Sequence, residues 1–367
     1  MNHPAEQAGT TNNGEFPMNV DLGARLRRIS AGLAVVAVST TAQAADLDLQ
    51  AIGYTSNLYL SQVEADFFSG PFKEAAGDTV EITVVPHDLA GLKGTEVLAL
   101  LQDGTLQIAV ANLSYMAGDD PRFEALDLSG VTLTSADART AYDAYRPVLT
   151  RIMEEKFNTH LLGVAPLPSQ VFWCRDELTG LSDLEGRKIR VFNATLSDFV
   201  AGVGGTTVTM PFVEVIPALQ QGVADCAVTG TSSGNSAKWT EVTDYLFPMN
   251  VGWSMVFWAA NKDLWDSMTP EQQTLLTEQY DALAEEAWEV QIAQDNDAVG
   301  CSTGGECELG VPAEMTLVEV SDEDKALRET IVAENVLPAW AARCGADCVT
   351  EWNETVGAAL GIEAPLP

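Results

Sequence analysis

The stretch that decides the fold lies at residues 183–230 and reads DLEGRKIRVFNATLSDFVAGVGGTTVTMPFVEVIPALQQGVADCAVTG. Its pattern predicts a strand around Arg190, a short helix after it, and a second strand at 207–210. A further helix at 214–221 ends before a glycine, and a strand at 224–228 follows. Strands and helices that alternate in this way predict an α/β sheet.

The same order of elements occurs earlier in the chain. Residues 100–110, LLQDGTLQIAV, align with residues 218–228, ALQQGVADCAV. In both segments a helix end is followed by a glycine suited to the position after the helix, and then by a buried strand. The separation is too long for a solenoid repeat. The repeat therefore predicts two similar α/β lobes.

Three motifs in fixed order carry a family resemblance. They are DLxGxKIRV from Asp183, MPFxEV from Met210 and ALQxGVxD from Ala218. With these motifs the chain resembles the substrate-binding proteins of tripartite ATP-independent periplasmic (TRAP) transporters. The likeness covers nearly the whole mature chain, including residues 91–118, residues 261–268 and the long helix that follows.

The resemblance implies an α/β fold of the two-lobed periplasmic binding protein type, with discontinuous domains. It implies a receptor that binds a small organic acid in the cleft between the lobes. That receptor delivers the acid to the small and large membrane subunits of the transporter, needs no cofactor or metal, and is expected to be a monomer. An ABC-type or chemoreceptor-coupled binding protein is the closer alternative.

Charge excludes two classes of partner. The 367 residues include 19 Lys and Arg against 53 Asp and Glu, which gives a formal net charge of −34. A chain this acidic, whose length is ample for two domains with a sizeable core in each, is unsuited to binding nucleic acid or an anionic membrane surface. An anionic ligand then needs a local positive site, so each buried arginine is informative.

The N-terminus predicts export. Three arginines within residues 25–28 precede an apolar run at 29–38, and small residues at 41–45 suit a cleavage site. The apolar run is too short to span a bilayer. We therefore expect residues 1–44 to be an N-terminal extension and signal peptide, cleaved near Ala44, and the mature protein to be periplasmic.

Six cysteines fit an exported protein. An even count favours disulfides over a metal site, because only His87 and His160 remain after the signal is removed. We expect pairs between cysteines that are close along the chain or on neighbouring strands. A crossed pairing between the 301/307 and 344/348 loops is the main alternative. The expected disulfides are Cys301–Cys307, Cys344–Cys348 and Cys174–Cys226.

A long helix is predicted to begin at Pro270. Thr269 is suited to the N-cap, and Gln272 completes a capping box. Apolar residues then keep to one face through to about Asn296. In the family that the chain resembles, such a helix braces both lobes. The expected lobes are residues 45–167 with 255–291 and residues 168–254 with 292–367.

Arg190 is the strongest candidate for a ligand contact. It lies at the carboxyl end of a predicted strand, the edge where open α/β sheets bind ligands. Its guanidinium can hold a carboxylate by two parallel hydrogen bonds and stays charged. The alternative is a structural ion pair with Asp198 or Asp225. Some family members have a second arginine where this chain has Ser169 or Gln170, so we expect a monocarboxylate ligand.

Further candidates match family positions or follow predicted strands. The resemblance puts Phe212 near the ligand, with ordinary core packing as its alternative. Thr229 stands where many family members carry an asparagine that binds the ligand carboxylate. The remaining candidates lie past strand ends or near the crossing between lobes: Tyr54, Asn57, Asn112, Gln170 and Trp253.

Catalytic motifs are missing from the sequence. It contains no Gly-x-Ser-x-Gly elbow, no Cys–His motif and no Walker or dinucleotide fingerprint. Adjacent carboxylates such as Glu154 and Glu155 point apart on a helix. We therefore predict that the protein is not an enzyme. An exported hydrolase is the alternative from a different class.

Overall fold

The computed structural model describes residues 47–367. The predicted extension and signal peptide at 1–44, with the cleavage near Ala44, lie outside the described residues. Among the helices that the structure describes, none has both the length and the apolar character needed to cross a bilayer.

The centre of the molecule is formed by ten strands. They are β1 (Leu47–Gly53), β2 (Val80–Pro86), β3 (Ile108–Asn112), β4 (Thr159–Cys174), β5 (Lys188–Val191), β6 (Thr206–Thr209), β7 (Cys226–Gly230), β8 (Tyr245–Phe247), β9 (Trp253–Asn261) and β10 (Thr316–Leu317). Eight of them lie side by side in the order β2-β1-β3-β9-β4-β7-β5-β6, while β8 pairs with β4 and β10.

Two groups of parallel strands are joined by two long antiparallel strands. The first group is β1 with β2 and β3, and the second is β5 with β6 and β7. Strand β9 runs antiparallel to β3, and β4 runs antiparallel to both β9 and β7. The register of β4 against β9 shifts between Pro166 and Ser169, where prolines at 166 and 168 lack backbone N–H groups.

Helices cover the sheet. They are α1 (Tyr59–Ser69), α2 (Pro71–Ala76), α3 (Val97–Gln102), α4 (Ser135–Phe157), α5 (Ala194–Gly202), α6 (Val215–Gln220), α7 (Thr231–Ser236), α8 (Lys262–Ser267), α9 (Pro270–Ser302), α10 (Asp322–Ile331), α11 (Leu337–Cys344), α12 (Ala346–Trp352) and α13 (Ala358–Leu360). Helix α9 packs against β4, α1 and α7.

The repeat that the sequence indicates is present. Gly104 follows α3 with a φ of 79°, and Gly222 follows α6 with a φ of 70°. Both angles lie in the left-handed region, which glycine adopts without a steric cost. The strand predicted at 224–228 is shifted to Cys226–Gly230, because residues 223–225 complete the turn that leaves α6.

Helix α9 begins as predicted and ends later. Thr269 accepts a hydrogen bond from the backbone N–H of Gln272, whose side chain accepts one from the Thr269 N–H in return. The apolar pattern weakens near Asn296, yet the helix continues to Ser302. Its last turns carry the buried Ala298 and Cys301, and packing against α7 holds them in helical form.

All six cysteines are paired. The disulfides are Cys174–Cys226, Cys301–Cys307 and Cys344–Cys348, with sequence separations of 52, 6 and 4. The first joins directly opposite residues of β4 and β7. The pairing is the one expected from the sequence, and the crossed alternative is wrong.

Candidate functional site

A cavity of about 390 Å³ lies where the carboxyl ends of both parallel groups meet. The first group contributes Tyr54 just after β1 and Asn112 at the end of β3. The second contributes Arg190 from β5, Thr229 from β7 and Phe212 from the turn after β6. The sheet topology therefore brings residues far apart in sequence to one site.

Arg190 is the cation of this cavity and is only 1% exposed. Its Nη1 donates to the Val228 carbonyl oxygen at 2.8 Å, and its Nη2 donates to the Met210 carbonyl oxygen at 3.0 Å. The rings of Phe192 and Trp239 lie 5.5 Å and 5.8 Å from its Cζ. These contacts fix the guanidinium plane before any ligand arrives.

The two acids considered as partners of Arg190 are engaged elsewhere. Asp198 forms an ion pair with the Arg343 guanidinium at 2.8 Å, and Asp225 accepts from the Lys188 backbone N–H at 2.8 Å. Among residues 47–367, no carboxylate lies within 4.0 Å of the Arg190 guanidinium. Burial lowers the pKa of Arg190 to about 10, so it still carries its charge at neutral pH. The ion-pair interpretation is therefore wrong.

Two tyrosines stand beside this charge. Burial raises the pKa of both Tyr54 and Tyr115, and the positive charge of Arg190 opposes the rise in each. Both line the cavity. The sequence did not point to Tyr115. It lies in a 3₁₀ turn, Leu113–Met116, directly after β3, so its position past a strand end was the available signal.

Phe212 lines the cavity and is half-buried, with its ring stacked on Trp239. Trp253 does not line it, contrary to expectation, and is 4% exposed. Its neighbour Ser254 does line the cavity. Successive side chains of a strand point to opposite faces, so Ser254 faces the cavity and Trp253 packs behind it.

The polar candidates divide into two sets. Asn112, Gln170 and Thr229 line the cavity and are buried. Asn57 does not line it: its side chain is exposed, and its Oδ1 accepts from Thr55 at 3.2 Å. Ser169 is turned away as well, because its hydroxyl donates to Asp295 of α9 at 2.7 Å. Of Ser169 and Gln170, only Gln170 lines the cavity.

The rest of the lining is largely apolar and was not anticipated from the sequence. Lys93 is a second cation, but it is exposed at the rim. Pro211 and Val213 fall within the MPFxEV motif and Leu167 lies in β4, whereas the other apolar positions lie in loops and turns outside the three motifs. The apolar and aromatic members are Leu58, Leu92, Leu167, Phe192, Pro211 and Val213.

A group of potential metal ligands lies outside the cavity. One ligand atom each from Asp297, Cys301 and Cys307 falls within 4.8 Å of the others. The two cysteines are joined in a disulfide and offer no thiolate. The Asp297 carboxylate accepts three backbone N–H groups of residues 308–310, so it orders that loop. These residues do not suit a metal ion.

Known proteins resemble the chain in sequence and in fold. The ectoine-binding periplasmic protein TeaA of Halomonas elongata is 23% identical over 234 residues, 62% of this chain and 68% of TeaA. The ectoine/5-hydroxyectoine-binding periplasmic protein UehA of Ruegeria pomeroyi is 24% identical over 277 residues, 73% of this chain and 78% of UehA. The crystal structure of DctP7, a Bordetella pertussis extracytoplasmic solute receptor binding pyroglutamic acid, matches with a TM-score of 0.72 and 22% identity. That match covers 86% of this chain and 99% of DctP7.

The family model DctP, described as bacterial extracellular solute-binding protein, family 7, matches residues 54–332. The match includes all the cavity residues named above. It confirms the resemblance to TRAP receptors, and the structural likeness confirms the two-lobed α/β fold. Members of this family are receptors and not enzymes. The chain belongs to the bacterial extracellular solute-binding proteins of family 7.

Proposed function

We propose that Arg190 holds the carboxylate of the organic acid that this receptor captures for a TRAP transporter. The observation that carries the proposal is a buried guanidinium without an acidic partner among residues 47–367, held by two carbonyl oxygens at a cavity wall. A buried charge is costly unless it is paired. A carboxylate ligand supplies the missing partner through a charge-assisted hydrogen bond.

The ligand is a monocarboxylate with a largely apolar body. One buried cation matches one carboxylate, and Gln170 stands where a second anchor would be needed for a dicarboxylate. Aromatic and aliphatic side chains make up most of the remaining wall, including Tyr115, Phe192 and Phe212. Pyroglutamic acid, which DctP7 binds, has one carboxyl group on a small ring and supports the single-carboxylate part of the proposal.

Capture takes place between two lobes, residues 45–167 with 255–291 and residues 168–254 with 292–367. The register shift of β4 near residue 167 supports a boundary there. The mature protein, cleaved near Ala44, is a periplasmic monomer. Its closed form docks on the small and large membrane subunits, and closure is driven by contacts that form only in the closed state.

Calorimetry with pyroglutamate and a panel of other monocarboxylates tests the anchor. Arg190→Ala should lose about 2–5 kcal/mol of binding free energy, because the carboxylate is then buried unpaired. Arg190→Lys should lose much of the affinity too, since an ammonium cannot reproduce the planar fork. Both proteins should keep the far-ultraviolet spectrum of the wild type.

Arg187 provides a matched control. Its guanidinium is also held by backbone carbonyl oxygens, those of Asp183 at 2.7 Å and Asp176 at 3.0 Å, but it lies outside the cavity. Arg187→Ala should bind the same acid with wild-type affinity. A folded Arg190→Ala protein with wild-type affinity would show that the anchor lies elsewhere.

A further inference from the structure

A buried carboxyl group, Asp127, lies behind the cavity wall. It is 3% exposed and belongs to the segment that follows the 3₁₀ turn Pro121–Glu124. Its Oδ2 accepts from the Ser254 hydroxyl at 3.0 Å and from Asn193 Nδ2 at 3.3 Å. Its backbone carbonyl oxygen accepts from the Thr195 hydroxyl at 2.9 Å. Asp127 therefore links the start of β9 to the beginning of α5.

Two side chains connect Asp127 to the cavity. Ser254 and Asn112 both line it, and Asn112 Nδ2 donates to Ser254 Oγ at 2.7 Å. A serine hydroxyl has a single proton, so Ser254 cannot donate to a ligand while it donates to Asp127. Asn112 Oδ1 accepts from the backbone N–H and the hydroxyl of Ser114 at 2.9 Å and 2.7 Å, which fixes the orientation of its amide.

The surroundings of Asp127 bring its titration close to neutral pH. Burial raises the pKa of Asp127 to about 7, and the nearby carboxylate of Glu124 adds to the rise. The side chains of Ser114, Ser254 and Asn193 oppose it by hydrogen bonding. Glu124 is itself paired with Arg343 at 3.2 Å. Asp127 thus combines a fixed hydrogen bond to a cavity residue with a charge that changes near neutrality.

Resting on the proposed function, we propose that Asp127 is a positioning residue that couples the binding of a carboxylate ligand to the uptake of one proton. The proton passes from solvent to the Asp127 carboxylate, and no covalent bond of the ligand changes. Neutral Asp127 holds the Ser254 hydroxyl less strongly than the anion does, which leaves Ser254 able to donate to the ligand.

The negative charge of a bound ligand also favours protonation of Asp127. A ligand carboxylate against Ser254 and Asn112 adds negative charge beside Asp127, and a like charge disfavours the ionised form. Ligand binding therefore raises the pKa of Asp127, and protonation of Asp127 tightens ligand binding. We expect affinity to fall about tenfold between about pH 6 and about pH 8, since one unit of pKa shift corresponds to a tenfold change.

Other titrating groups lie in or near the cavity, among them Asp88, Glu64 and His87. The pKa of Asp88 is lowered, because hydrogen bonds from Ser56 outweigh its burial, so Asp88 stays ionised in this pH range. Burial raises the pKa of Glu64 to about 7, but its oxygens accept from the Tyr54 backbone N–H and the Trp258 indole, both at 2.7 Å. It touches neither Ser254 nor Asn112. Burial lowers the pKa of His87, which takes its titration below that of Asp127. Glu64 is therefore the matched control for Asp127.

The first experiment needs no ligand. The carboxyl carbon of Asp127 is followed by NMR across about pH 5 to about pH 9, with Asp127→Asn used to identify its signal. In Ser254→Ala the carboxylate loses a donor that stabilises its charge, so the midpoint of Asp127 should rise. An unchanged midpoint in a folded Ser254→Ala protein would mean that the hydrogen bond does not operate, and the proposal would fall.

The second experiment measures the coupling itself. Calorimetry of pyroglutamate, benzoate, succinate and galacturonate near pH 7, in phosphate and in Tris buffer, reports the protons taken up on binding. Wild-type protein should take up part of a proton with any acid that binds, because Asp127 of the free protein is already about half protonated near pH 7. Asp127→Asn should bind with an affinity that no longer depends on pH and should take up no proton. Glu64→Gln should keep the pH dependence.

The outcomes separate this inference from the proposed function. Acid binding that depends on Arg190 but not on pH would overturn the coupling and leave the anchor intact. Proton uptake that survives in Asp127→Asn and disappears in Glu64→Gln would assign it to Glu64 and also overturn the inference. The inference would also be overturned if no acid of the panel shifted the midpoint of the Asp127 titration measured by NMR.

Discussion

The ring of Phe212 stacks on the indole of Trp239, with centroids 5.2 Å apart and 23° between the planes. Trp239 is fully buried, and the same indole lies 5.8 Å from Cζ of Arg190. One buried tryptophan therefore supports both the cation and an aromatic wall of the cavity. The position of Phe212 is set by packing before a ligand arrives.

Removing this aromatic wall should weaken binding without unfolding the protein. Phe212→Ala exposes the indole face and removes apolar contact with the ligand body, so we expect a loss of about 1–2 kcal/mol of binding free energy. Phe68→Ala is the control, because Phe68 is also half-buried among aromatic rings but lies outside the cavity. Calorimetry should give wild-type affinity for that control. Equal losses in both variants would mean that Phe212 acts only through general packing.

The three disulfides should contribute unequally to stability. Cys174–Cys226 closes a separation of 52 residues, whereas Cys344–Cys348 closes one of 4. Loop-closure entropy gives about 4 kcal/mol for the longer loop and about 2 kcal/mol for the shorter one. Urea unfolding of paired serine variants measures the difference. A smaller loss for the 174/226 pair than for the 344/348 pair would contradict the entropic account here.

Glu64 should make stability depend on pH. Its pKa is raised to about 7 in the folded protein from an ordinary value of 4.5. The folded state therefore binds the proton more tightly than the unfolded state. This contribution is complete below about pH 4.5 and is lost as the pH rises through about 7.

Glu64→Gln removes a titrating group, so the variant should not lose this part of its stability as the pH rises. We expect the free energy of unfolding of the variant, relative to wild type, to rise by on the order of 2–3 kcal/mol between about pH 5 and about pH 8. Chemical denaturation of both proteins at the two pH values measures the difference in the free energy of unfolding between variant and wild type at each pH. A constant difference would mean that Glu64 titrates near its ordinary value.

The sequence was most informative where a local rule applied. Gly104 and Gly222 marked helix ends, and the motif around Arg190 marked a strand edge; both follow from short-range chemistry. Tyr115 was missed, because it reaches the cavity from a 3₁₀ turn that no periodicity marks, and its place past the end of β3 was the one signal for it. The prediction that Trp253 contacts the ligand was wrong. Pairing with β4 decides which side chains of β9 face the cavity, and it turns Ser254 towards the cavity and Trp253 away from it.

The role proposed for Asp127 could not be predicted from the sequence either, because it depends on contacts between residues that are far apart in the chain. Ser254 and Asn193, which donate to it, are 127 and 66 positions away, and Asn112, which donates to Ser254, is 15 positions away, so only the folded chain brings them together. Each residue alone resembles an ordinary loop former. The chemistry of the group comes from burial, which no single residue specifies.

Strand β4 has a consequence for how the protein can be divided. Its residues Thr159–Ser169 pair with β9, and its residues Gln170–Cys174 pair with β7, so one unbroken segment belongs to both halves of the sheet. A gene fragment that ends near residue 167 would contain β3 and most of β4 without their neighbour β9, and the remaining fragment would contain β9 without both of these partners. Neither half should therefore be obtainable as a separately expressed folded protein.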